Sequence, residues 1–102
     1  ACSSSLVALS QGAEAVRSGS EGMAMCFGTN SICQAYSYVI NSKTGLMSPD
    51  GRCKTFDARA NGYVRGEGCG AVLVRRKNGR EGMGEMVGWA VNQDGRSNGL
   101  TA

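Results

Sequence analysis

Histidine is absent from this chain of 102 residues, and proline occurs only once. Without histidine the common zinc-binding patterns cannot form, and a cysteine nucleophile lacks the base that usually accompanies it. No stretch approaches the ~20 consecutive apolar residues of a membrane span. The sequence also has no Asn-x-Ser/Thr acceptor for N-glycosylation. These absences argue against a metal centre, a membrane partner and a secreted glycoprotein.

The charge balance and the cysteines narrow the protein class further. Eleven basic and eight acidic side chains give a net charge of +3, which is too small to predict a nucleic-acid partner. The basic run Arg75-Arg76-Lys77 is typical of a solvated strand end, with docking of an acidic partner as the alternative. Five cysteines without a CxxC pair indicate reduced thiols. A cytoplasmic location is therefore expected, with an organelle as the alternative.

The first part of the chain carries the clearest helical pattern. Apolar residues recur with spacings of three, four and three residues, which predicts a helix over Ser3–Ser18: Leu6, Leu9, Ala13 and Val16. The serines before this pattern are typical N-cap residues. Gly19 follows the last helical residue, where a left-handed C-terminal glycine is common.

Short apolar segments separated by turns predict strands after this helix. The predicted buried strands are Gly22–Phe27, Cys69–Arg75 and Glu85–Val91. Ser31–Asn41 suits a short helix, and Ser48–Gly51 is a strong turn that begins a long loop reaching Gly68. Helices alternating with separated strands indicate an α/β layered architecture.

Cys2 is the residue with the most reactive chemistry at a predicted helix start. The positive end of a helix dipole stabilises a thiolate, and the backbone N–H groups there can stabilise an oxyanion. This chemistry suits acyl transfer through a cysteine nucleophile. The alternative is a small buried residue, which composition alone favours.

Two cofactor patterns can be rejected on position. The glycines of Gly66–Gly70 precede a predicted strand, whereas a dinucleotide loop must follow a strand and open a helix. Asp50-Gly51 and Asp94-Gly95 lack the further acidic ligands of an EF-hand and are interpreted as turns. No directly bound cofactor or metal is expected.

Three segments together resemble the ketosynthase domain of a type I polyketide synthase. They are ACSSSLVAL at the start, SPDGRCKTFDARANGYVRGEGCGAVLV over Ser48–Val74, and AVNQDGRSNGLTA over Ala90–Ala102. The resemblance places the chain in the β-ketoacyl synthase family of the thiolase superfamily. It implies a fragment of a thiolase-like layered α-β-α-β-α fold. Residues 1–84 would be the end part of the N-terminal half of that domain, and residues 85–102 the start of its C-terminal half.

The resemblance also implies the chemistry. Cys2 matches the nucleophilic cysteine of the family, and the catalytic histidines lie in motifs that would follow Ala102. The implied activity is that of an acyltransferase: an acyl chain forms a thioester with the cysteine and undergoes decarboxylative Claisen condensation with a malonyl-type extender. Substrates would arrive on the phosphopantetheine arm of an acyl carrier protein.

Further positions take their roles from the same resemblance. Thr101 matches a position along the phosphopantetheine tunnel, with a hydroxyl that bonds its own turn as the alternative. Phe56 matches a phenylalanine of the active-site wall, and a plain core aromatic is the alternative. Asp57 and Glu67 are expected to hold their loop by pairing with arginines or backbone N–H groups. Gly22–Phe27 matches the strand that pairs across a homodimer axis, with an ordinary internal strand as the alternative.

Several readings of function stay open at this point. They include a fatty acid synthase ketosynthase, a non-condensing ketosynthase-like subunit, and a small interaction module without activity. The chain has Phe27-Gly28 where polyketide ketosynthases commonly have Gly-Gly, and the phenylalanine is expected to crowd the nucleophile helix. The isolated 102 residues are expected to fold poorly and to be inactive.

Overall fold

A computed structural model describes residues 2–79, 81–97 and 99 of the chain. Within these ranges two helices and two strands follow one another in the order helix, strand, helix, strand: α1 (Ser4–Ser18), β1 (Met23–Asn30), α2 (Tyr36–Lys43) and β2 (Gly68–Arg75). The two strands are hydrogen-bonded neighbours in one sheet. The chain divides into two compact units, one of residues 1–28 with 71–102 and one of residues 29–70.

Helix α1 confirms the helical pattern of the first segment within one residue. It ends at Gly19, which has a left-handed φ of 85° and donates its N–H to the carbonyl of Val16 at 3.3 Å. Ala13 and Val16 are buried, whereas Leu6 at the other end of the apolar stripe is 67% exposed. The expected serine cap is wrong in detail, because Ser3 makes no capping hydrogen bond with its side chain.

Strand β1 has one face toward α1 and one face that stays exposed. Cys26 is its single buried residue. The other face carries three exposed apolar side chains: Met23, Met25 and Phe27. The predicted buried strand is therefore buried on one side only, because α1 is the element that covers it. Phe27 does not crowd α1, since period-2 alternation puts it on the opposite face from Cys26.

Strand β2 is the second half of the sheet. Asn30 at the end of β1 donates its side-chain amide to the carbonyl of Gly66, just before β2 begins. This contact places the end of one strand beside the start of the other, as in an antiparallel pair. The prediction of a buried strand is wrong here, because Gly68–Leu73 is exposed and only the last two residues are partly covered. No described element packs over this part of β2.

The third predicted strand, Glu85–Val91, does not form. The segment has no regular secondary structure. Its apolar and β-branched side chains favour a strand, but a strand also needs a neighbour to accept and donate its backbone hydrogen bonds. Among the described residues, β1 and β2 pair with each other and not with this segment.

Arg76 ties the end of β2 to the end of α1. Its Nε donates to the carbonyl of Val16 at 3.1 Å, and its Nη2 donates to the carbonyl of Arg17 at 2.7 Å. Carbonyls of a last helical turn have no partners within the helix, and they attract positive charge. Arg76 therefore acts as a C-terminal cap supplied by a residue distant in sequence.

Loss of this cap is expected to loosen the end of α1. The Arg76→Met variant should speed amide hydrogen exchange in the last turn of α1, because hydrogen bonds from a charged donor contribute about 1.5–3 kcal/mol. Arg17→Met is the matched control, since it removes an exposed pair with Glu14 that contributes little. Peptide-level exchange on the full-length protein measures both. Equal exchange in the two variants would contradict the capping role.

The unit of residues 29–70 contains α2, a long loop, the end of β1 and the start of β2. The predicted turn is confirmed: Gly51 has a φ of 69° and donates its N–H to the carbonyl of Ser48 at 3.3 Å. Residues 48–67 form no helix and no strand. Tyr63 in this loop forms a single parallel bridge with Met47, which precedes the loop. Tyr63 also donates its hydroxyl to Asn41 of α2 at 2.9 Å, which fastens the loop to the helix.

A polar cluster inside this loop replaces a hydrophobic core. Ser48 is buried, and its hydroxyl bonds the carboxylate of Asp50 and the amide oxygen of Asn61. The ammonium of Lys54 donates to the same two residues, at 2.6 Å each. We name these four residues the loop hub. It closes the loop by joining positions up to 13 residues apart.

The loop hub gives the protein an acid-sensitive contact. The hydrogen bond from Lys54, and then that from Ser48, lower the pKa of Asp50 from 3.8 to about 2. Because the pKa of Asp50 is lowered in the folded state, its carboxylate stabilises the fold at pH values above the ordinary pKa of 3.8. This contribution is lost as the pH falls through about 2. The midpoint difference between wild type and Asp50→Asn should therefore be constant above about pH 4 and shrink toward pH 2. Thermal unfolding of the full-length protein at several pH values measures this difference, and a pH-independent difference would contradict the ion pair.

Candidate functional site

Cys2 lies in the turn that leads into α1, and it is exposed. Ser3 follows with φ −92° and ψ 8°, and its carbonyl accepts the first helical hydrogen bond from the N–H of Val7 at 3.0 Å. Among the described residues nothing buries Cys2, and its role as a nucleophile stays a prediction. The thiol is accessible to a reaction partner.

The first turn of α1 suits negative charge. It contains no acidic residue, and the side chain of Ser3 does not occupy its amides. The first N–H groups of a helix have no carbonyl partner within the helix, and they carry the positive end of the helix dipole. Such amides can donate to a thiolate or to an oxyanion that develops beside it. Chemically, the arrangement supports nucleophilic attack by a sulfur on a carbonyl carbon.

Phe56 is presented outward by the loop. Phe56 is fully exposed among the described residues, and its backbone has a φ of 60°, while Lys54 has a φ of 47°. Left-handed conformations of residues other than glycine cost on the order of 1–3 kcal/mol each and persist only where neighbours hold them. The N–H of Asp57 donates to the carbonyl of Lys54 at 3.0 Å across this turn. Phe56 therefore packs in no core formed by the described residues, and its role in an active-site wall stays a prediction.

The expected roles of the loop carboxylates are confirmed. Asp57 accepts two hydrogen bonds from the guanidinium of Arg59, and the hydrogen bond with this side chain lowers the pKa of the carboxyl. Glu67 accepts the backbone N–H of Ile32. Both residues thus fix backbone within the unit of residues 29–70, whereas Cys2 belongs to the other unit.

Other predicted features stand as follows. Thr101 lies outside the described residues. Within the described ranges no cluster of three or more histidine, cysteine or acidic side chains could hold a metal ion. The helices described are too short or too polar to cross a bilayer.

A shallow depression beside Glu14 and Arg17 is lined by Val87–Trp89 and is open to solvent.

Sequence reasoning missed the loop hub and the cap from Arg76. The hub joins Ser48 and Lys54 to Asn61, and the cap joins residues about 60 positions apart. Asp50 and Lys54 are four residues apart, and this spacing predicts an ion pair only within a helix. No local pattern signals the others.

Comparison with known proteins places this chain in a family. The family described as beta-ketoacyl synthase, N-terminal domain, matches residues 1–79. A phenolphthiocerol/phthiocerol polyketide synthase of Mycobacterium tuberculosis is 44% identical over 106 residues, covering 99% of this chain and 5% of that protein. Reducing polyketide synthase AFT16-1 of Alternaria alternata is 42% identical over 106 residues, covering 99% of this chain and 4% of that protein.

A solved structure is similar as well. The ketosynthase from module 6 of the bacillaene synthase of Bacillus subtilis 168 superposes with a TM-score of 0.67 at 40% identity. The match covers 72% of this chain and 13% of that ketosynthase. The chain therefore spans a small share of each protein that it resembles, and the similarity extends to both sequence and fold.

Proposed function

Since this chain belongs to the β-ketoacyl synthase family, we propose that it supplies the nucleophile of a polyketide-forming ketosynthase. The observation that supports this most directly is the exposed thiol of Cys2 at a helix start whose amides are not capped by Ser3. The chain is a helix-and-strand fragment of α/β type that superposes on part of a thiolase-like ketosynthase. The relatives described above are polyketide synthases, which favours this pathway over fatty acid synthesis.

In the proposed acylation, the Cys2 thiolate attacks the carbonyl of an acyl thioester on the phosphopantetheine arm of a carrier protein. The C–S bond to the carrier breaks, the carrier thiolate takes up a proton, and the acyl chain becomes a Cys2 thioester. The backbone N–H of Cys2 donates to the oxyanion of the tetrahedral intermediate. The chain itself requires no metal or prosthetic group for this step.

In the proposed condensation, a malonyl-type extender on the carrier loses CO₂ and becomes an enolate. The enolate carbon attacks the acyl-Cys2 carbonyl, and the Cys2 thiolate leaves, so that a β-ketoacyl chain stays on the carrier. The histidines that assist decarboxylation in this family are not among the 102 residues. We propose that another part of the protein supplies them.

Two residues and one strand segment have proposed supporting roles. Phe56 forms part of the active-site wall, and Thr101 touches the phosphopantetheine arm. A homodimer forms through Gly22–Phe27. The dimer is supported by the edge of β1, which has one neighbour in the described sheet and no described partner on its other side.

The chain on its own is proposed to be inactive. It exposes 8652 Å², whereas a folded monomer of this mass exposes about 5,500 Å². Among the described residues the buried hydrophobic side chains are few: Ala13, Val16 and Cys26. We propose that residues 1–84 end the N-terminal half of the domain, that residues 85–102 begin its C-terminal half, and that the remaining domain covers β1 and β2. The five free cysteines suit the reducing conditions of the cytoplasm.

A reconstituted reaction tests the proposal against its main alternative. The full-length protein is incubated with an acyl thioester and a malonyl-loaded carrier protein, and β-ketoacyl carrier is measured by mass spectrometry. Condensation requires both substrates. Release of CO₂ from the malonyl carrier without a β-ketoacyl product would instead identify a non-condensing, decarboxylating relative.

A further inference from the structure

Two glycines mark the closest approaches between α1 and β1. A Cβ at Gly12 of α1 would lie 2.5 Å from the Sγ of Cys26 and 3.2 Å from the Cβ of Ala24. A Cβ at Gly28 of β1 would lie 2.9 Å from the Cβ of Ser5. We name Ser5, Gly12, Cys26 and Gly28 the helix clasp. Its two contacts lie seven residues apart along α1, which is about 10 Å of helix.

Space, and not backbone conformation, is what requires glycine at these positions. The positive-φ glycines of the described chain do not include Gly12 or Gly28. Gly12 stands in the interior of α1, where glycine is unfavourable relative to alanine. The Sγ of Cys26 also donates to the carbonyl of Ala8 at 3.5 Å, so the side chain opposite Gly12 is itself engaged. Alanine at Gly12 would have to displace this engaged Sγ or push the helix away from the strand.

We propose that Gly12 and Gly28 are positioning residues that set the location of Cys2. This inference rests on the proposed function of Cys2. Ser5 is three residues beyond Cys2 and lies in the first turn of α1. The contact between Ser5 and Gly28 therefore fixes the distance between that turn and β1. The contact at Gly12 fixes the middle of the same helix. Together they hold α1 at two points, and a change at either would tilt the helix and move the thiol.

The main test is Gly12→Ala in the full-length protein. Ordinary contacts begin near 3.4 Å, so the added Cβ and the Sγ of Cys26 must separate by about 1 Å, and we expect the helix to take up this displacement. Displacement of a reacting group by 1 Å costs on the order of 10²-fold in rate. We expect kcat for condensation to fall by this factor while KM for the carrier-bound substrate stays unchanged. Gly28→Ala creates a smaller overlap, since its added Cβ would lie 2.9 Å from the Cβ of Ser5, and it should therefore cause a smaller loss of kcat.

Removal of the opposing atom should restore the rate. In Gly12→Ala/Cys26→Ala the Sγ is gone, and in Gly28→Ala/Ser5→Gly the Cβ is gone. Each double variant should recover most of the kcat that its single glycine variant loses. Gly84→Ala is the control, because no atom lies within 4 Å of its added Cβ. A loss of kcat that the double variants do not recover would overturn the clasp.

A second readout separates this inference from the proposed function. The rate at which Cys2 becomes acylated is followed by peptide mass spectrometry in wild type and in each variant. No acylation of wild-type Cys2 contradicts the proposed function itself. Normal acylation and normal kcat in Gly12→Ala contradict the clasp alone. If Gly12→Ala does not fold, Gly28→Ala and its rescue by Ser5→Gly decide the question by the same criteria.

Discussion

In the full-length protein, Cys2→Ala is expected to abolish condensation, with a loss on the order of 10⁴-fold or more. The reason is chemical: without the thiol no acyl-enzyme thioester forms, and the remaining groups can only position the substrates. Stability should change little, because Cys2 is exposed and packs against no described core. The measurement is the rate of β-ketoacyl formation together with the melting temperature.

A matched cysteine variant gives the control for this result. Cys33→Ala removes another exposed thiol, which contacts the hydroxyl of Ser31 at 3.4 Å. It should leave both condensation and melting unchanged. A Cys2→Ala protein that still condenses would show that the nucleophile is elsewhere. An inactive and unfolded Cys2→Ala protein would show that the thiol is structural.

The second large effect is expected at Gly62. Its φ of 134° is one that residues with a side chain rarely adopt, and a Cβ there would lie 2.5 Å from backbone atoms of both Met47 and Ser48. Backbone atoms cannot yield as the tip of a side chain can. Gly62→Ala should therefore destabilise the unit of residues 29–70 by about 3 kcal/mol or more. Limited proteolysis of the full-length protein should cut this unit first.

Gly51→Ala separates backbone strain from overlap. Gly51 also has a positive φ, of 69°, but an added Cβ meets nothing within 4 Å. Its cost should be the conformational cost alone, roughly 1–2 kcal/mol. Similar proteolysis of the Gly51→Ala and Gly62→Ala proteins would mean that the bridge between Met47 and Tyr63 does not constrain the loop.

The parts of the fold that could be predicted are those decided by local pattern. Helix α1 has an apolar stripe and a terminal Gly19, both readable within a few residues. The strands β1 and β2 are short apolar runs, and their existence was predictable. Their exposure was not, since burial depends on which elements cover them. Glu85–Val91 shows the same limit: its composition favours a strand, but pairing is not a property of the segment itself.

The candidate site divides in the same way. Cys2 could be predicted as a candidate nucleophile because the residue and the start of α1 are neighbours in sequence. The left-handed turn at Phe56 could not be predicted from the sequence, because contacts of Lys54 with Asp50 and Asn61 hold it. The helix clasp could not either, since the need for Gly12 becomes visible only when Cys26 lies against it.

Direct detection of the acyl-enzyme is the measurement that tests the central claim. The full-length protein is treated with an acyl thioester in the absence of extender, digested, and analysed by mass spectrometry. The account predicts that the acyl mass lies on the peptide that contains Cys2 and disappears when a malonyl-loaded carrier is added. Acylation of a different residue, or none, would contradict the assignment of Cys2 as the condensing nucleophile.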